Sequence, residues 1–250
     1  DPDTQPYFPA TPGFEPSVFW GEEIILEGPA NVHNPMMDQE GRVWLTSRIR
    51  NTGDNPDWCR EGSANRFAQY FPLTTSGRQA SVFHPDTEEF TLIDTCFGTH
   101  HLQFGEDANN TLWFSGDGNT IGWLDTKVYD ETGDERAAQG WCPTVIDTNG
   151  DGRITKPWNE PGRGASFDPS RDTRVVAGSY GLVADPAVGT AVWLSSAQYP
   201  GKLVRMDVGE SPPESCLTEV YEVPSVLDLN VPRSKTGFGS RGIDIDRDGV

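Results

Sequence analysis

Apolar and polar positions alternate in short runs along most of this chain, and the runs recur as one phrase. Its copies read VHNPMMDQEGRVWLTS from Val32, THHLQFGEDANNTLWFSG from Thr99, SYGLVADPAVGTAVWLSS from Ser179 and SRGIDIDRDGV from Ser240. Each opens on polar or aromatic residues, passes through a short alternating run and reaches an acidic or glycine-bearing turn. In the first three a Trp-apolar-Ser/Thr triplet follows. Period-two alternation on both sides of such a turn predicts a β-hairpin. Hairpins repeated at long spacing predict a β-propeller or a related array, an all-β fold of four-stranded antiparallel blades.

The same pattern lays out the blades. In the first, Asn34–Asp38 is the innermost strand, Arg42–Arg48 the second, QASVFHPDT the third and EEFTLID the fourth. The second blade takes His100–Phe104, Thr111–Ser115 and NTIGWLDT, then a long excursion to about Asp172 before RVVAG. The third takes Gly181–Ala184, Ala191–Ser195, GKLVRMDV and LTEVYEVP. Trp44, Trp113 and Trp193 recur at a spacing well over the roughly 40–45 residues of a bare four-stranded blade. The excess falls in insertions at 51–77 and 126–172. Residues 1–16, rich in proline, read as an extended arm, and 17–250 as the propeller, with Ser17–Gly28 as one further strand. Three blades and a fragment do not close a ring of 4–8, so the expectation is that the propeller is incomplete here or closes with further chain or another subunit.

Composition narrows the picture in few places. Eight Trp, twelve Phe and six Tyr supply a core, while 27 Gly and 20 Pro suit many tight turns. The absence of a long apolar run argues against a transmembrane helix. A net charge of −19 argues against nucleic acid, whose phosphates would be repelled, and favours cations. Cys59, Cys96, Cys142 and Cys216 form no CxxC pair and no haem or zinc-knuckle spacing. With the acidic composition they point to a secreted or periplasmic protein with up to two disulfides. Nucleophile-elbow, P-loop, dinucleotide and WD40 signatures are all missing.

The stretches GRVWLTS, NTLWFSG with NTIGWLDT, and TAVWLSS with GKLVRMD resemble the repeat of streptogramin lyase-like (virginiamycin B lyase-like) β-propellers. That resemblance covers most of Glu22–Val250 outside the insertions. It implies a funnel site with a histidine and a nearby divalent metal. The family's Pro-His-Gly opening is replaced here by Val32-His33-Asn34-Pro35 and Thr99-His100-His101.

Counting back five residues from Asp38, Gly105, Asp185 and Asp246 puts His33, His100, Tyr180 and Arg241 in one slot. Asn34, His101, Gly181 and Gly242 fill the next. These slots open the innermost strands, so a propeller would bring them together on its axis. There His33 or His100 would serve as general base, Tyr180 as proton donor and Arg241 as anion holder, with Asn34 and His101 as binding residues. Alternatively two or three imidazoles would ligate Zn²⁺, Cu²⁺ or Fe²⁺, or the set would be polar plugs of a wet channel. Cys96, four residues before His100, is a further candidate ligand, although a disulfide or buried thiol fits it better. His84 reads as a strand-end surface residue.

The stretch DTNGDGRIT matches the opening of a calcium loop, the alternative being an acidic Asx-turn loop without an ion. Asp147, Asn149 and Asp151 are its oxygen donors, Gly152 makes its sharp turn and the Arg153 carbonyl is its seventh-position ligand. The twelfth position is Trp158, so Glu160 or Asn159 would have to substitute. The expected cofactors are therefore a structural Ca²⁺ and a second divalent metal at the axis. The expected activity is lyase- or hydrolase-type on a small-molecule or carbohydrate-like ligand. The competing reading is a non-enzymatic binding or assembly module that meets a protein partner through its insertions.

Overall fold

The computed structural model describes residues 31–105, 107–162, 164, 166–197, 201–222, 230, 232 and 239–246. The proline-rich arm, the strand expected at 17–28 and the last four residues lie outside them. Within the described residues, three four-stranded antiparallel sheets follow one another along the chain, each laid down in sequence order. The first holds β1 (Pro35–Met37), β2 (Val43–Ser47), β3 (Gln79–His84) and β4 (Glu89–Ile93). The second holds β5 (Thr99–Phe104), β6 (Thr111–Asp117), β7 (Thr120–Asp125) and β8 (Gln139–Pro143). A two-stranded ribbon, β9 (Val145–Ile146) with β10 (Thr173–Arg174), separates these from the third sheet. That sheet holds β11 (Ser179–Ala184), β12 (Ala191–Ser196), β13 (Lys202–Asp207) and β14 (Leu217–Glu222). The fold is all-β and propeller-like, with no sheet closed on itself.

Alternation explains how the blades stack. Neighbouring residues of a strand face opposite sides of a sheet, and the middle sheet has a neighbour on each side. Leu112, Phe114, Leu124 and Trp141 therefore join Trp44 and Leu102 in one core, shared with the first sheet. Trp113, Ile121 and Cys142 join Leu182, Val192 and Leu194 in a second core, shared with the third. Strands β6 and β8 are buried on both faces for this reason, whereas β14, on an outer edge, keeps an exposed glutamate and tyrosine.

Two features depart from the pattern expected of the sequence. The fourth strand of the second blade is β8, within the stretch read as insertion 126–172, and not RVVAG. Thr173 and Arg174 pair instead with Ile146 and Val145. Helices α2 (Thr126–Thr132) and α3 (Glu135–Ala138) fill the gap between β7 and β8. The Asp125 side chain caps α2 through the Val128 N–H at 2.9 Å, and the chain turns out of it at Gly133, φ 65°. A strongly apolar segment, QGWCP, thus reaches the blade edge ahead of the β-branched RVVAG, because a short helical return closes a smaller loop than a fifty-residue excursion would. The second departure is at 240–246, where no strand is formed.

Both cysteine pairs are bridged. Cys59–Cys96 (Cα–Cα 5.4 Å) pins the 51–77 insertion to the end of the first blade. Cys142–Cys216 (Cα–Cα 6.3 Å) ties β8 to the segment before β14 and so joins adjacent blades. Cys96 is thereby removed from consideration as a metal ligand.

Candidate functional site

The Thr or Ser that ends the triplet of the first and second blades is the stitch to the next blade. Thr46 Oγ1 accepts the Asn34 N–H at 3.1 Å within its own blade and donates to the His100 carbonyl of the next at 2.9 Å. Ser115 Oγ repeats this: it accepts the His101 N–H at 3.3 Å and donates to the Tyr180 carbonyl. Ser195 Oγ accepts the Gly181 N–H at 3.2 Å. Asn34 adds a second link, its Oδ1 accepting the Leu102 N–H at 2.9 Å. Strands β5 and β11 are thus each hung from the blade before them by residues of the aligned slots and triplets.

The slot residues of the second and third blades also sit at irregularities that turn them out of the ladder. Pairing of β5 with β6 shifts register between Thr99 and Leu102, and pairing of β11 with β12 shifts between Ser179 and Leu182. The bulged residues are His100–His101 and Tyr180–Gly181. A bulge re-aims side chains that would otherwise lie flat along the sheet. The first bulge requires Gly116, at φ 128°, where a Cβ would lie 2.6 Å from the His100 nitrogen. The second requires Gly181, where a Cβ would lie 2.7 Å from the Arg241 carbonyl oxygen.

The result is the convergence that the slot alignment anticipates. Ring centroids of His33 and His100 are 3.9 Å apart, those of His33 and His101 5.1 Å, and those of His100 and His101 4.7 Å. The Tyr180 ring lies 4.8 Å from each of His100 and His101. The Arg241 guanidinium carbon stands 5.2 Å from the Tyr180 ring centroid. One ring nitrogen from each histidine lies within 4.8 Å of the other two, and among the described residues this is the only such grouping of three or more potential His, Cys, Asp or Glu ligands. Nδ1 of His100 and Nε2 of His101 are buried without a hydrogen-bond partner.

Their surroundings favour the neutral forms of His100 and His101. Burial pushes His100 down, and His33, His101 and Arg78 push it further, to about 4. His101 is lowered by burial and by His33. Neutral imidazoles with free ring nitrogens can accept a proton or a metal ion.

The other expected site residues lie elsewhere. Asp147 Oδ1 accepts N–H groups from Gly150 (2.6 Å) and Asp151 (3.2 Å), and its Oδ2 accepts that of Gly152 at 2.8 Å. Asn149 Oδ1 accepts from Asp151 N–H and Asp151 Oδ1 from Arg153 N–H, both at 2.9 Å. The side chains of the calcium-like stretch therefore wrap its own backbone. Glu160 is engaged away from that stretch: Oε1 accepts the Trp158 indole N–H at 2.6 Å and Oε2 pairs with Arg174. Asn159 is spent on Asp168 and on the Arg171 carbonyl. His84 ends β3 and contacts Thr91 Oγ1.

Sequence reading passed over Arg78, which acts on His100, and the stitching role of Thr46 and Ser115. The recurrent triplet signalled the stitch. Nothing local signalled Arg78, which precedes β3 and reaches the site because its carbonyl accepts the Thr99 N–H at 3.0 Å.

Comparison with protein-family models finds no match, and comparison with curated proteins finds none. Among solved structures, the chain is similar to a candidate 6-phosphogluconolactonase from Bacteroides uniformis, at 11% identity and a TM-score of 0.39. The alignment covers 87% of this chain and 45% of that one, so the chain spans under half the length of that protein.

Proposed function

We propose that this chain is an extracytoplasmic β-propeller protein of the streptogramin lyase-like kind, with a lyase- or hydrolase-type centre where its inner strands meet. In this reading His33, His100 and His101 hold a divalent transition-metal ion. The observation that carries it is the set of three imidazole nitrogens within 4.8 Å of one another, in a cluster where His100 Nδ1 and His101 Nε2 are buried and unpartnered. A buried polar atom left unsatisfied costs about 1–3 kcal/mol, a cost that ligation removes. Neutral imidazole is the ligating form and suits Zn²⁺, Cu²⁺ or Fe²⁺. An ion held there would polarise a carbonyl and lower the pKa of bound water.

The chain's own groups do the remaining work. Tyr180, packed against the half-buried His100 and His101 rings, supplies a hydroxyl that would give or take a proton at the site. Arg241, stacked on that ring, holds a carboxylate or the negative charge that develops as a bond breaks. Asn34 acts at one remove, fixing β5 through the Leu102 N–H. Two disulfides support an oxidising compartment. We assign the Asp147–Arg153 loop a structural Ca²⁺ on Asp147, Asn149, Asp151 and the Arg153 carbonyl. With Glu160 held by Trp158 and Arg174, water would complete its coordination.

One experiment separates the two ions. Chelator-stripped protein is titrated with Co²⁺ or Zn²⁺ and, separately, with Ca²⁺, while melting and metal content are followed. At about a hundredfold excess over Kd each ion should stabilise by about 2.7 kcal/mol, raising Tm by about 5–10 °C. His100→Ala should abolish the transition-metal response and spare that to calcium, and Asp147→Ala should do the reverse. Stoichiometric cobalt uptake unchanged in His100→Ala would remove the axial centre. A Ca²⁺ response unchanged in Asp147→Ala would remove the loop site. Turnover is screened on small esters, lactones and β-elimination substrates, and has to be lost in His100→Ala.

A further inference from the structure

The surroundings of the histidine cluster run against the charge of the molecule. The chain carries a net −19, and Arg42, Arg50, Arg171, Arg174 and Arg205 each pair with a carboxylate. Arg78 and Arg241, which flank the cluster, make no such pair among the described residues. Arg78 donates instead to the Asn31 carbonyl at 3.2 Å and to Asn31 Oδ1 at 3.5 Å. Its guanidinium is half-buried, and both burial and the neighbouring Arg48 charge push it below its usual pKa. Arg241 is exposed, over the face of Tyr180. The groups that act on His100 are His33, His101 and Arg78, with no carboxylate among them.

The acidic residues that close the first and third copies of the phrase do not neutralise this corner. Asp38 and Asp185 lie five residues along their strands from the slot, about 16 Å away at an extended rise. There they are committed to Arg42 and Arg205. Arg241 over Tyr180 and Arg78 beside His100 therefore bring two guanidinium groups to the imidazole cluster, and neither forms an ion pair with a carboxylate of the described residues. A charge held in part away from water attracts an opposite one more strongly than it would in bulk solvent. Planar guanidinium forks match carboxylate and phosphate oxygens two at a time.

We propose that the axial site takes a small molecule bearing a carboxylate or phosphate group, gripped by Arg241 and Arg78 on either side of the histidine cluster. The proposal rests on the reading above for the place of the site, though not for the presence of an ion. A locally positive mouth on an acidic protein also favours capture of small anions, since the surrounding field disfavours large polyanions.

The test uses the whole chain, both chelator-stripped and loaded with Co²⁺, in calorimetric titrations with succinate, orthophosphate and the neutral analogue succinamide. Succinate or orthophosphate should bind stripped protein saturably, more weakly as salt rises, and succinamide should not bind. Preference between the two anions identifies the group recognised. Arg241→Ala and Arg78→Gln should each weaken anion binding about tenfold or more. Arg241→Lys should recover part of the loss, and Lys127→Ala, on the exposed face of α2, should change nothing. Since Arg241 is exposed, its variants remain informative if Arg78→Gln destabilises the fold. Equal binding of succinamide, no saturable binding to either form, or affinity unchanged in Arg241→Ala would overturn the proposal. Anion binding with no cobalt uptake would sink the metal reading alone, and cobalt uptake with no anion binding would sink this one alone.

Discussion

Replacing Thr46 by valine tests whether the blade stitch positions the site. The two side chains have nearly the same shape, and Thr46 is fully buried, so the change removes a hydroxyl without opening a cavity. It strands two backbone groups: the Asn34 N–H, now 3.1 Å from Oγ1, and the His100 carbonyl, now 2.9 Å from it. Each unsatisfied group costs about 1–3 kcal/mol when buried. Both are only partly buried here, so about 1–1.5 kcal/mol apiece is the fitting end of that range, or about 2–3 kcal/mol together. Thr46→Ser keeps the hydroxyl and loses a methyl, worth about 1 kcal/mol. In a domain of this size each kcal/mol moves Tm by about 2–4 °C. Urea and thermal unfolding of the two variants should therefore separate clearly, with valine the less stable. Cobalt titration adds a readout that packing alone would not move, because His33 and His100 hang from the two strands that the hydroxyl joins. Affinity should fall in Thr46→Val and hold in Thr46→Ser. If valine proves no worse than serine in both assays, the hydroxyl is not the link and the derivation of the site from the repeat fails.

Two further tests come from the far end of the same phrase. The Trp44 indole N–H reaches Asp38 Oδ2 at 2.8 Å, whereas Gly105 stands in the matching place of the second blade and Trp113 Nε1 has no partner. Trp44→Phe should thus cost about 1.5–3 kcal/mol more than Trp113→Phe in urea unfolding, and equal costs would refute the assignment. Burial pushes the Asp38 carboxyl up, but hydrogen bonds from Trp44 and Arg42 outweigh it and leave the pKa below the usual carboxylate value. Its stabilisation is therefore complete above the unfolded value of about 3.9 and is lost as pH falls through the lower folded one. Asp38→Asn should be the less stable protein at neutral pH, by a margin that shrinks below about pH 4. A margin constant from pH 2 to 7 would show that the carboxylate's charge contributes nothing.

Much of the site was legible because the repeat keeps a strict register. Period-two alternation is local, and so is the turn that ends each inner strand. Counting back from the turn was therefore enough to align His33, His100, Tyr180 and Arg241 before any tertiary contact was known. The histidine cluster was harder to read. His101 occupies the second slot, where Asn34 points at a backbone amide, and only the bulge at Thr99–Leu102 turns His100 and His101 together toward His33. Arg78 carried no signal at all, since it enters through a backbone hydrogen bond to Thr99 from the start of a strand in the preceding blade.

The sequence by itself determined the blade as a unit: three copies of hairpin and triplet, an apolar face on each side of the middle sheet, and a shared slot at the inner end of each strand. It did so because side-chain direction along a strand depends on residue parity and nothing more distant. Tertiary structure decided which segments completed the blades and which partners the polar groups took. QGWCP became β8 in place of RVVAG, Cys59 found Cys96 and Cys142 found Cys216, and Glu160 turned to Arg174 and Trp158, away from the acidic loop. Those choices depend on loop closure, packing and the competition for hydrogen-bond partners across long sequence separations, which no local pattern records.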